Sequence, residues 1–359
     1  MKTKLLFSIA LLFCFVKSLI AQTTFTVDNI NYEVTSSRRP FTVKITGLVD
    51  RGVSSVTIPL TVTNNSKTYN VTAIGNGAFG YCGNLTSVSI SDSVTSIGDY
   101  AFYNCSNLPS ISIPDSVTSI GFGAFYYCIS LTSVSIGNSV TSIGDWAFRD
   151  CKKLTSVSIG NSVTSIGAEA FASCINLTSV SIGNSVTSIG QGAFHNCYKL
   201  TSVSIGNSVT SIGYEAFKSC YELTSFTCLA TTPPTLNYPN TFIGGWQSNC
   251  DLYVPESALS AYRNADQWKY FRSVKTYTYL STTETKNNLL KVYPNPAKDH
   301  VVISNISKGE NISVYDLSGK ILFQTKSPGN SLNINTSSYK NGIYLVKVGE
   351  KTTKIIVNK

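Results

Sequence analysis

Cysteine is the reactive residue with the most regular spacing in this chain. Seven cysteines lie 23 residues apart, at Cys82, Cys105, Cys128, Cys151, Cys174, Cys197 and Cys220. A zinc site needs several Cys or His ligands close together in the sequence, and one cysteine per 23 residues does not supply them. Stacked parallel strands are ~4.8 Å apart, which leaves neighbouring Cβ atoms farther apart than the ~3.8 Å of a disulfide. We therefore predict that these cysteines are reduced and pack as small apolar groups in a core.

Cys228 and Cys250 lie outside this spacing and form a candidate disulfide pair. A bond between them would close a loop of about 20 residues and add ~3 kcal/mol of stability. Cys220 with Cys228 is the alternative pairing.

Catalytic and metal-binding residues are scarce. The chain has 2 histidines, His195 and His300, which are too few for His-based metal sites and leave little for a Ser-His-Asp triad. The repeated segments present the same Ser and Thr groups many times, and acidic residues such as Asp99 and Asp145 have no evident carboxylate partner. We therefore predict no catalytic residue, no metal site and no cofactor, in a chain that is not an enzyme.

Aromatic and cationic residues are concentrated where the repeated segments differ from one another. Exposed Tyr, Trp and Arg side chains are favoured anchors of protein interfaces. The candidate binding face consists of Tyr100, Tyr103, Tyr126, Tyr127, Trp146, Arg149, Tyr198 and Tyr214. A second repeated surface carries hydroxyl groups, as at Thr132, Ser133 and Ser135, and is interpreted as an uncharged, soluble sheet face, with glycan binding as the alternative.

These residues belong to a 23-residue unit, LTSVSIGNSVTSIGDWAFRDCKK in its copy at 131–153. Full copies begin at Leu85, Leu108, Leu131, Leu154, Leu177 and Leu200. A fixed period of about 20–29 residues indicates a solenoid, in which each unit forms one coil and stacked coils bury a shared core. Within a unit the apolar spacing predicts two short strands and then one short helical turn, over D-W-A-F-R-D-C, that buries Ala147, Phe148 and Cys151.

The pattern L-x-x-V-x-I-x-x-S-V-T-S-I-G-x-x-A-F-x-x-C resembles the BspA-type leucine-rich repeat of bacterial surface proteins, over roughly residues 69–272. The resemblance implies a mainly β leucine-rich-repeat solenoid of 23-residue coils with short helical turns. The expected divisions are an N-terminal β cap at 22–68, repeats at 69–226 and a C-terminal cap at 227–280. In that last cap, Tyr262, Ala265, Trp268 and Phe271 have helical spacing and are expected to cover the open end of the core.

A linker at 281–290 leads to a separate module at 291–359. Alternating apolar residues separated by turn signals predict a small β-sandwich there. The segments V-Y-P-N-P (292–296), V-Y-D-L-S-G-K (314–320) and N-G-I-Y-L-V-K-V (341–348) resemble the C-terminal sorting domain of the type IX secretion system. The motif residues are Pro294, Asn295, Pro296, Gly319, Gly342 and Tyr344. The resemblance implies that residues 291–359 engage the type IX secretion machinery.

The N-terminal residues 1–21 are interpreted as a signal peptide, with Lys2 and Lys4 before an apolar segment and Ala21 before the predicted cleavage point. No later apolar run is long enough to cross a membrane as a helix. The net charge is +9, yet residues 85–222 carry only five basic against eight acidic residues. The positive charge lies mainly in the leader and in the C-terminal module, so we predict no nucleic-acid partner.

The function expected from these observations is a secreted or cell-surface binding protein. The resemblance to BspA-type proteins implies an adhesin-like role toward host matrix proteins, other cells or glycans. The alternative is a structural coat or spacer protein without a specific ligand. The sequence leaves open the identity of the ligand and the choice between an anchored and a released protein.

Overall fold

The computed structural model describes residues 24–236, 241–242, 245–277, 290–294, 297–316, 320–340, 342–349, 351–357 and 359. These residues form two compact units, one up to residue 277 and one from residue 290. The predicted signal peptide at 1–21 and all but the last residue of the predicted linker lie outside the described residues.

The first unit begins with a small cap of strands. Numbered in chain order, they are β1 (Thr24–Val27), β2 (Ile30–Ser36), β3 (Thr42–Leu48), β4 (Ser55–Thr57), β5 (Thr61–Asn64) and β6 (Lys67–Ile74). Antiparallel pairing joins β1 to β2 and β2 to β3, and β3 then runs parallel to β6. The cap thereby changes from antiparallel pairing to the parallel pairing of the coils.

Each coil contributes two short strands that lie parallel to the equivalent strands of neighbouring coils. The first strands are β7 (Ser87–Ser89), β9 (Ser110–Ser112), β11 (Ser133–Ser135), β13 (Ser156–Ile159), β15 (Ser179–Ile182), β17 (Ser202–Ile205) and β19 (Ser225–Cys228). They pair in three separate groups: β4 with β7, β9 with β11, and β13 through β19. The second strands form one continuous ladder from β6 through β8 (Ser96–Ile97), β10 (Ser119–Ile120), β12 (Ser142–Ile143), β14 (Ser165–Ile166), β16 (Ser188–Ile189), β18 (Ser211–Ile212) and β20 (Thr235–Leu236). Equivalent residues pair across neighbouring coils, as Ser156 does with Ser179, so the sequence period sets the register.

The third side of each coil is formed by turns. This side, called the turn face below, comprises residues 75–82, 98–105, 121–128, 144–151, 167–174, 190–197 and 213–220. Two residues in each segment have a left-handed conformation, such as Trp146 with φ of 59° and Asp150 with φ of 58°. The predicted helical turn is therefore realised as consecutive hydrogen-bonded turns, because left-handed residues interrupt a right-handed helix.

The core consists of columns of identical side chains. The phenylalanine rings from Phe79 to Phe217 stack face to face, with centroids 5.0–5.4 Å apart. The seven cysteines of the 23-residue spacing are also buried, and all are free thiols. Six of them donate their thiol hydrogen to a phenylalanine carbonyl oxygen in the preceding coil, at 3.1–3.3 Å. The predicted packing of reduced cysteines and phenylalanines in a common core is confirmed.

The C-terminal end of the core is covered by aromatic side chains. The covering elements are a 3-10 turn (Trp246–Asn249), β21 (Asp251–Val254), a second 3-10 turn (Glu256–Ala258), helix α1 (Leu259–Asn264), a third 3-10 turn (Trp268–Tyr270) and β22 (Ser273–Thr276). Tyr262, Trp268 and Phe271 are buried as expected, and Ala265 is half-buried. Trp246 also closes the last coil, because its indole Nε1 donates to the carbonyl oxygen of Phe217 at 3.1 Å.

The candidate disulfide between Cys228 and Cys250 is absent from the structure. Both are free thiols, and so is Cys220 of the alternative pairing. Ser225 of β19 is paired with Asp251 of β21, which places Cys250 four residues away from the level of Cys228, or about 13 Å along the strand. Cys228 instead accepts a hydrogen bond from the Tyr262 hydroxyl at 3.1 Å.

The second unit is a small β domain with its own core. Its strands are β23 (Lys291–Tyr293), β24 (His300–Ser304), β25 (Asn311–Tyr315), β26 (Ile321–Lys326), β27 (Ser331–Asn335), β28 (Gly342–Val348) and β29 (Lys351–Val357). They form one antiparallel sheet in the order β23-β24-β27 and another in the order β26-β25-β28-β29. Val301, Val314 and Val346 are among the residues buried in their shared core.

Candidate functional site

The turn face presents its variable side chains because its backbone hydrogen bonds are made within the solenoid. In the segment 144–151, Trp146, Phe148 and Asp150 donate their N–H groups to the next coil at 2.7–2.9 Å. The alternating residues Ala147 and Arg149 donate to carbonyl oxygens three residues earlier in their own coil. Phe148 and Ala147 are fully buried, whereas Trp146 and Arg149 are partly exposed. The arrangement leaves most variable positions at the surface without exposing unpaired backbone donors.

Six of the eight predicted binding residues form one continuous cluster. The cluster, called the aromatic ridge below, comprises Tyr81, Tyr100, Tyr103, Phe122, Tyr126, Tyr127 and Trp146, with Arg149 and Lys152 beside it. Tyr103 stacks on Tyr126 with centroids 5.2 Å apart, and Phe122 lies 5.1 Å from Trp146. The ridge extends over the turn-face segments of four successive coils, 75–82, 98–105, 121–128 and 144–151.

The cations at the end of the ridge are neutralised by acidic neighbours. Arg149 lies over the Trp146 ring at 4.9 Å and forms ion pairs with Asp150 and Glu169. Lys152 lies over the Tyr127 ring at 5.5 Å, and its Nζ is 3.9 Å from an Asp150 carboxylate oxygen. This end of the ridge therefore carries balanced charge.

The other end of the ridge encloses an open cleft, called the tyrosine cleft below. Its volume is about 530 Å³, and it is lined by Arg51, Gly77, Gly80, Tyr81, Tyr100, Tyr103 and Tyr126. Gly77 occupies the position that Tyr100 and Trp146 occupy in other coils, and a Cβ atom built on it meets no atom within 4 Å. Gly80 likewise replaces the side chain found at Tyr103 and Tyr126, so two missing side chains create the cleft.

Four of the seven lining residues were not among the predicted binding residues: Arg51, Gly77, Gly80 and Tyr81. Tyr81 has the same position in its coil as Tyr127, and alignment of the partial first repeat with the full copies could have identified it. Arg51 lies in the N-terminal cap outside the repeat, and no sequence signal connects it with the ridge. One of its guanidinium nitrogens donates to the carbonyl oxygen of Gly80.

The remaining two predicted residues lie apart from the ridge. Tyr198 stacks on Tyr221 with centroids 5.9 Å apart. Tyr214 hydrogen-bonds Glu215, whose pKa is lowered first by its hydrogen bond to Lys218. Small side chains, such as Ala168 and Ala172, occupy the turn face between these residues and the ridge. The predicted binding residues are thus divided between the aromatic ridge and two tyrosines, Tyr198 and Tyr214, that lie away from it.

The hydroxyl-rich surface uses many of its hydroxyl hydrogens within the solenoid. Thr132 donates to the carbonyl oxygen of Pro109 at 3.0 Å, and Thr178 donates to that of Thr155 at 2.9 Å. Equivalent threonines in neighbouring coils repeat this bond. This surface is a regular, uncharged sheet face.

The C-terminal unit contains part of the predicted sorting motifs. Tyr344 is buried and donates its hydroxyl hydrogen to the carbonyl oxygen of Lys340 at 2.8 Å, while Gly342 begins β28. Pro294 is exposed directly after β23. Asn295, Pro296 and Gly319 lie outside the described residues.

Among the described residues, no group of three His, Cys, Asp or Glu side chains could hold a metal ion. No helix in this part of the chain has the length and apolar character needed to cross a membrane. His195 lies on the turn face, where burial is the main cause that lowers its pKa.

Family models match both units of the chain. The BspA type leucine rich repeat region matches residues 72–183 and 118–234, with six copies. The secretion system C-terminal sorting domain matches residues 291–359. No curated protein matches the chain.

Several solved structures resemble the chain. A leucine-rich repeat protein from Bacteroides ovatus is 27% identical, with a TM-score of 0.50, over 70% of this chain and 76% of that protein. A T. pallidum leucine rich repeat protein is 22% identical, with a TM-score of 0.42, over 69% of this chain and 93% of that protein. The pneumococcal vaccine antigen PcpA is 15% identical, with a TM-score of 0.36, over 72% of this chain and 99% of that protein.

Proposed function

We propose that this chain, which carries BspA-type leucine-rich repeats and a type IX C-terminal sorting domain, is a non-enzymatic, adhesin-like binding protein. Its ligands in this proposal are matrix proteins of a host, other cells or glycans. The observation that carries the proposal is the aromatic ridge. Solenoid coils that are otherwise nearly identical differ there, and they gather seven aromatic rings into one surface.

The ridge has the composition and the packing of a contact surface. Tyr, Trp and Arg are enriched among the residues that contribute most to binding at interfaces. Their rings in the ridge support one another at centroid distances of 4.9–5.9 Å, so little side-chain freedom is left to lose on binding. Tyr81 nevertheless keeps 65% of its surface exposed. A rigid, exposed aromatic surface favours binding over a purely structural role.

The sorting domain implies export by the type IX secretion system to the cell surface or beyond. We further propose that residues 1–21 act as the signal for the first membrane and are removed. An exported solenoid with a rigid aromatic surface is suited to contacts with other cells or with matrix.

Binding of the full-length protein to immobilised fibronectin, laminin and collagen, and to cells, tests the proposal. We expect saturable binding to at least one of these surfaces. A triple variant, Tyr81→Ser with Tyr100→Ser and Trp146→Ser, should weaken it at least about tenfold, since few anchors carry most binding energy. Tyr81 has the left-handed position that Ser173 and Ser219 occupy in other coils. Tyr100 and Trp146 have the left-handed position that Glu169 and Glu215 occupy, so both positions accept side chains of other types.

The matched control is the double variant Tyr198→Ser with Tyr221→Ser, which removes two exposed rings that directly follow turn-face segments away from the ridge. It should bind as the unchanged protein does. Equal losses in both variants would refute the ridge as the contact surface. A protein without saturable binding to any of these surfaces would refute the binding function.

A further inference from the structure

The tyrosine cleft differs from the rest of the ridge in its charge. Arg51 is exposed at the cleft, and no carboxylate oxygen among the described residues lies within 4.0 Å of its guanidinium group. One guanidinium nitrogen holds the Gly80 carbonyl oxygen, which leaves the other donors of the fork available. Arg149 and Lys152, in contrast, are paired with Asp150 and Glu169. The cleft therefore presents a cation without an acidic partner, which favours an anionic ligand.

The lining of the cleft suits a ligand with an apolar face and a polar edge. Tyrosine rings combine a flat apolar face with a hydroxyl group that can donate and accept hydrogen bonds. Tyr100 and Tyr81 are 37% and 65% exposed, so ring surface is accessible from the cleft. A pyranose ring has the matching character, because its C–H groups form an apolar face and its hydroxyl groups surround it.

The backbone around the cleft is poorly suited to an extended peptide. Gly77, Phe79 and Tyr81 donate their N–H groups to the next coil at 2.7–2.8 Å. An added strand would find no free row of backbone donors there, and such a row is what β-strand addition requires. The cleft volume of about 530 Å³ falls in the usual range of small-ligand sites, about 300–1,000 Å³.

We propose that the tyrosine cleft binds a carboxylate-bearing pyranose of an acidic glycan, with the carboxylate on Arg51 and the sugar ring against the tyrosines. A planar guanidinium pairs with a carboxylate through two parallel hydrogen bonds, which gives both strength and orientation. This inference rests on the proposed binding function and names a ligand class for one end of the ridge.

Titration of the full-length protein with single sugars tests this assignment directly. The probes are D-glucuronate and N-acetylneuraminate, and the neutral counterparts are D-glucose and the methyl ester of D-glucuronate. Saturation-transfer NMR detects weak complexes of this size. We expect an acid that binds to have an affinity at least about tenfold higher than that of the neutral sugars, because only the acids pair with Arg51. The acid with the higher affinity shows whether the carboxylate of the ligand belongs to a sugar like D-glucuronate or to one like N-acetylneuraminate.

Two variants locate the bound sugar. Gly77→Tyr places in the cleft the side chain that Tyr100 carries at the equivalent left-handed position, so it fills the cleft without a new backbone demand. Arg51→Gln keeps an N–H donor for Gly80 but removes the charge. We expect Gly77→Tyr to abolish binding and Arg51→Gln to lower binding of the acids to the level of the neutral sugars. Gly192→Tyr, at the equivalent position five coils away, is the control and should bind normally.

Three results would overturn the assignment. The first is equal binding of D-glucuronate and its methyl ester, a comparison that needs no variant. The second is unchanged binding in a folded Gly77→Tyr protein. The third is tighter binding of a poly-glutamate peptide than of either acid, which would identify an acidic peptide as the ligand.

The same probes separate this inference from the function on which it rests. Saturable binding to matrix or cells, together with equal binding of D-glucuronate and its methyl ester, would leave the binding function standing and would overturn the acidic-glycan cleft. Absence of binding to every surface would overturn the function itself.

Discussion

Each cysteine from Cys105 to Cys220 fills a core position and also donates a hydrogen bond, as Cys151 does to the carbonyl oxygen of Phe125 at 3.3 Å. Burial raises the pKa of Cys128 to about 12, so its thiolate is scarce at neutral pH. Because the thiolate is the nucleophile in disulfide exchange, these buried thiols are protected in an oxidising compartment. The 23-residue spacing predicted that these cysteines are buried. It did not predict which carbonyl oxygen accepts each thiol hydrogen, because the acceptor depends on the offset between neighbouring coils.

Asp251 in the C-terminal cap is a buried carboxylate whose charge stabilises the fold. Its carboxylate accepts hydrogen bonds from Arg272, Ser273 and Lys275 at 2.7–2.8 Å, and these bonds hold its pKa far below the ordinary value. A carboxyl with a lowered folded-state pKa stabilises the protein above its unfolded pKa of about 3.9 and loses that contribution as the pH falls below it. We expect Asp251→Asn to lower the free energy of unfolding by about 1–2 kcal/mol at pH 7.

The comparison is made by urea unfolding of the full chain at pH 7 and at decreasing pH. The difference between Asp251→Asn and the unchanged protein should shrink as the pH falls below about 3.9. Asp266→Asn is the matched control, because Asp266 is 72% exposed in its ion pair with Lys269 and should contribute within about 0.5 kcal/mol. A loss that stays constant with pH would contradict the role assigned to the charge of Asp251.

At the scale of elements, the sequence predicted the strands more accurately than the turns. Alternating apolar residues in each unit predicted two short strands, and both strands are present in the coils, paired in parallel. The A-F-x-x-C segment has apolar spacing that also fits one turn of helix, and periodicity cannot detect a left-handed backbone. The difference arises because alternate N–H groups of this segment pair with the next coil instead of continuing along the chain.

Ser173 tests whether the left-handed conformation determines which residues the turn face accepts. Its φ is 59°, and its N–H donates to the carbonyl oxygen of His195 at 2.7 Å. Glycine adopts this conformation readily, whereas a β-branched residue is strained there. We expect Ser173→Gly to change the free energy of unfolding by less than about 0.5 kcal/mol and Ser173→Val to lower it by about 1–2 kcal/mol. Similar losses in chemical denaturation of the two variants would contradict this explanation.

The ridge could be predicted only in part. Variation between repeats identified Tyr100, Tyr103 and Trp146, since a side chain that differs among identical coils is free of the common core. The cleft depends on Gly77 and Gly80, where a side chain is missing, and on Arg51 from the cap. A side chain brought in from outside the repeat cannot be located from the repeat pattern.

At the scale of the whole solenoid, neighbouring coils are interchangeable. Each coil meets the next through the same register, the same phenylalanine stack and the same turn-face hydrogen bonds. The two ends differ from the middle, because Arg51 meets the first coil and Trp246 meets the last. Stability in such a stack is a sum of coils and equal interfaces.

Removal of one whole coil tests this equivalence. Deletion of residues 154–176 joins Lys153 to Leu177 in the register that Asn176 and Leu177 already have. We expect a folded protein whose Tm lies within about 10 °C of the original and whose ridge-dependent binding is unchanged. Deletion of residues 154–165, about half a coil, is the control and should abolish cooperative unfolding measured by circular dichroism. Equal outcomes for the two deletions would contradict the interchangeable coils.

The matching register of neighbouring coils has a consequence for the gene. Any in-frame insertion or deletion of 23 codons between the coils of Arg149 and Tyr198 adds or removes one whole coil and keeps the register of the coils on either side. Such a change alters neither capped end. The length of the solenoid can therefore change independently of the tyrosine cleft at its N-terminal end.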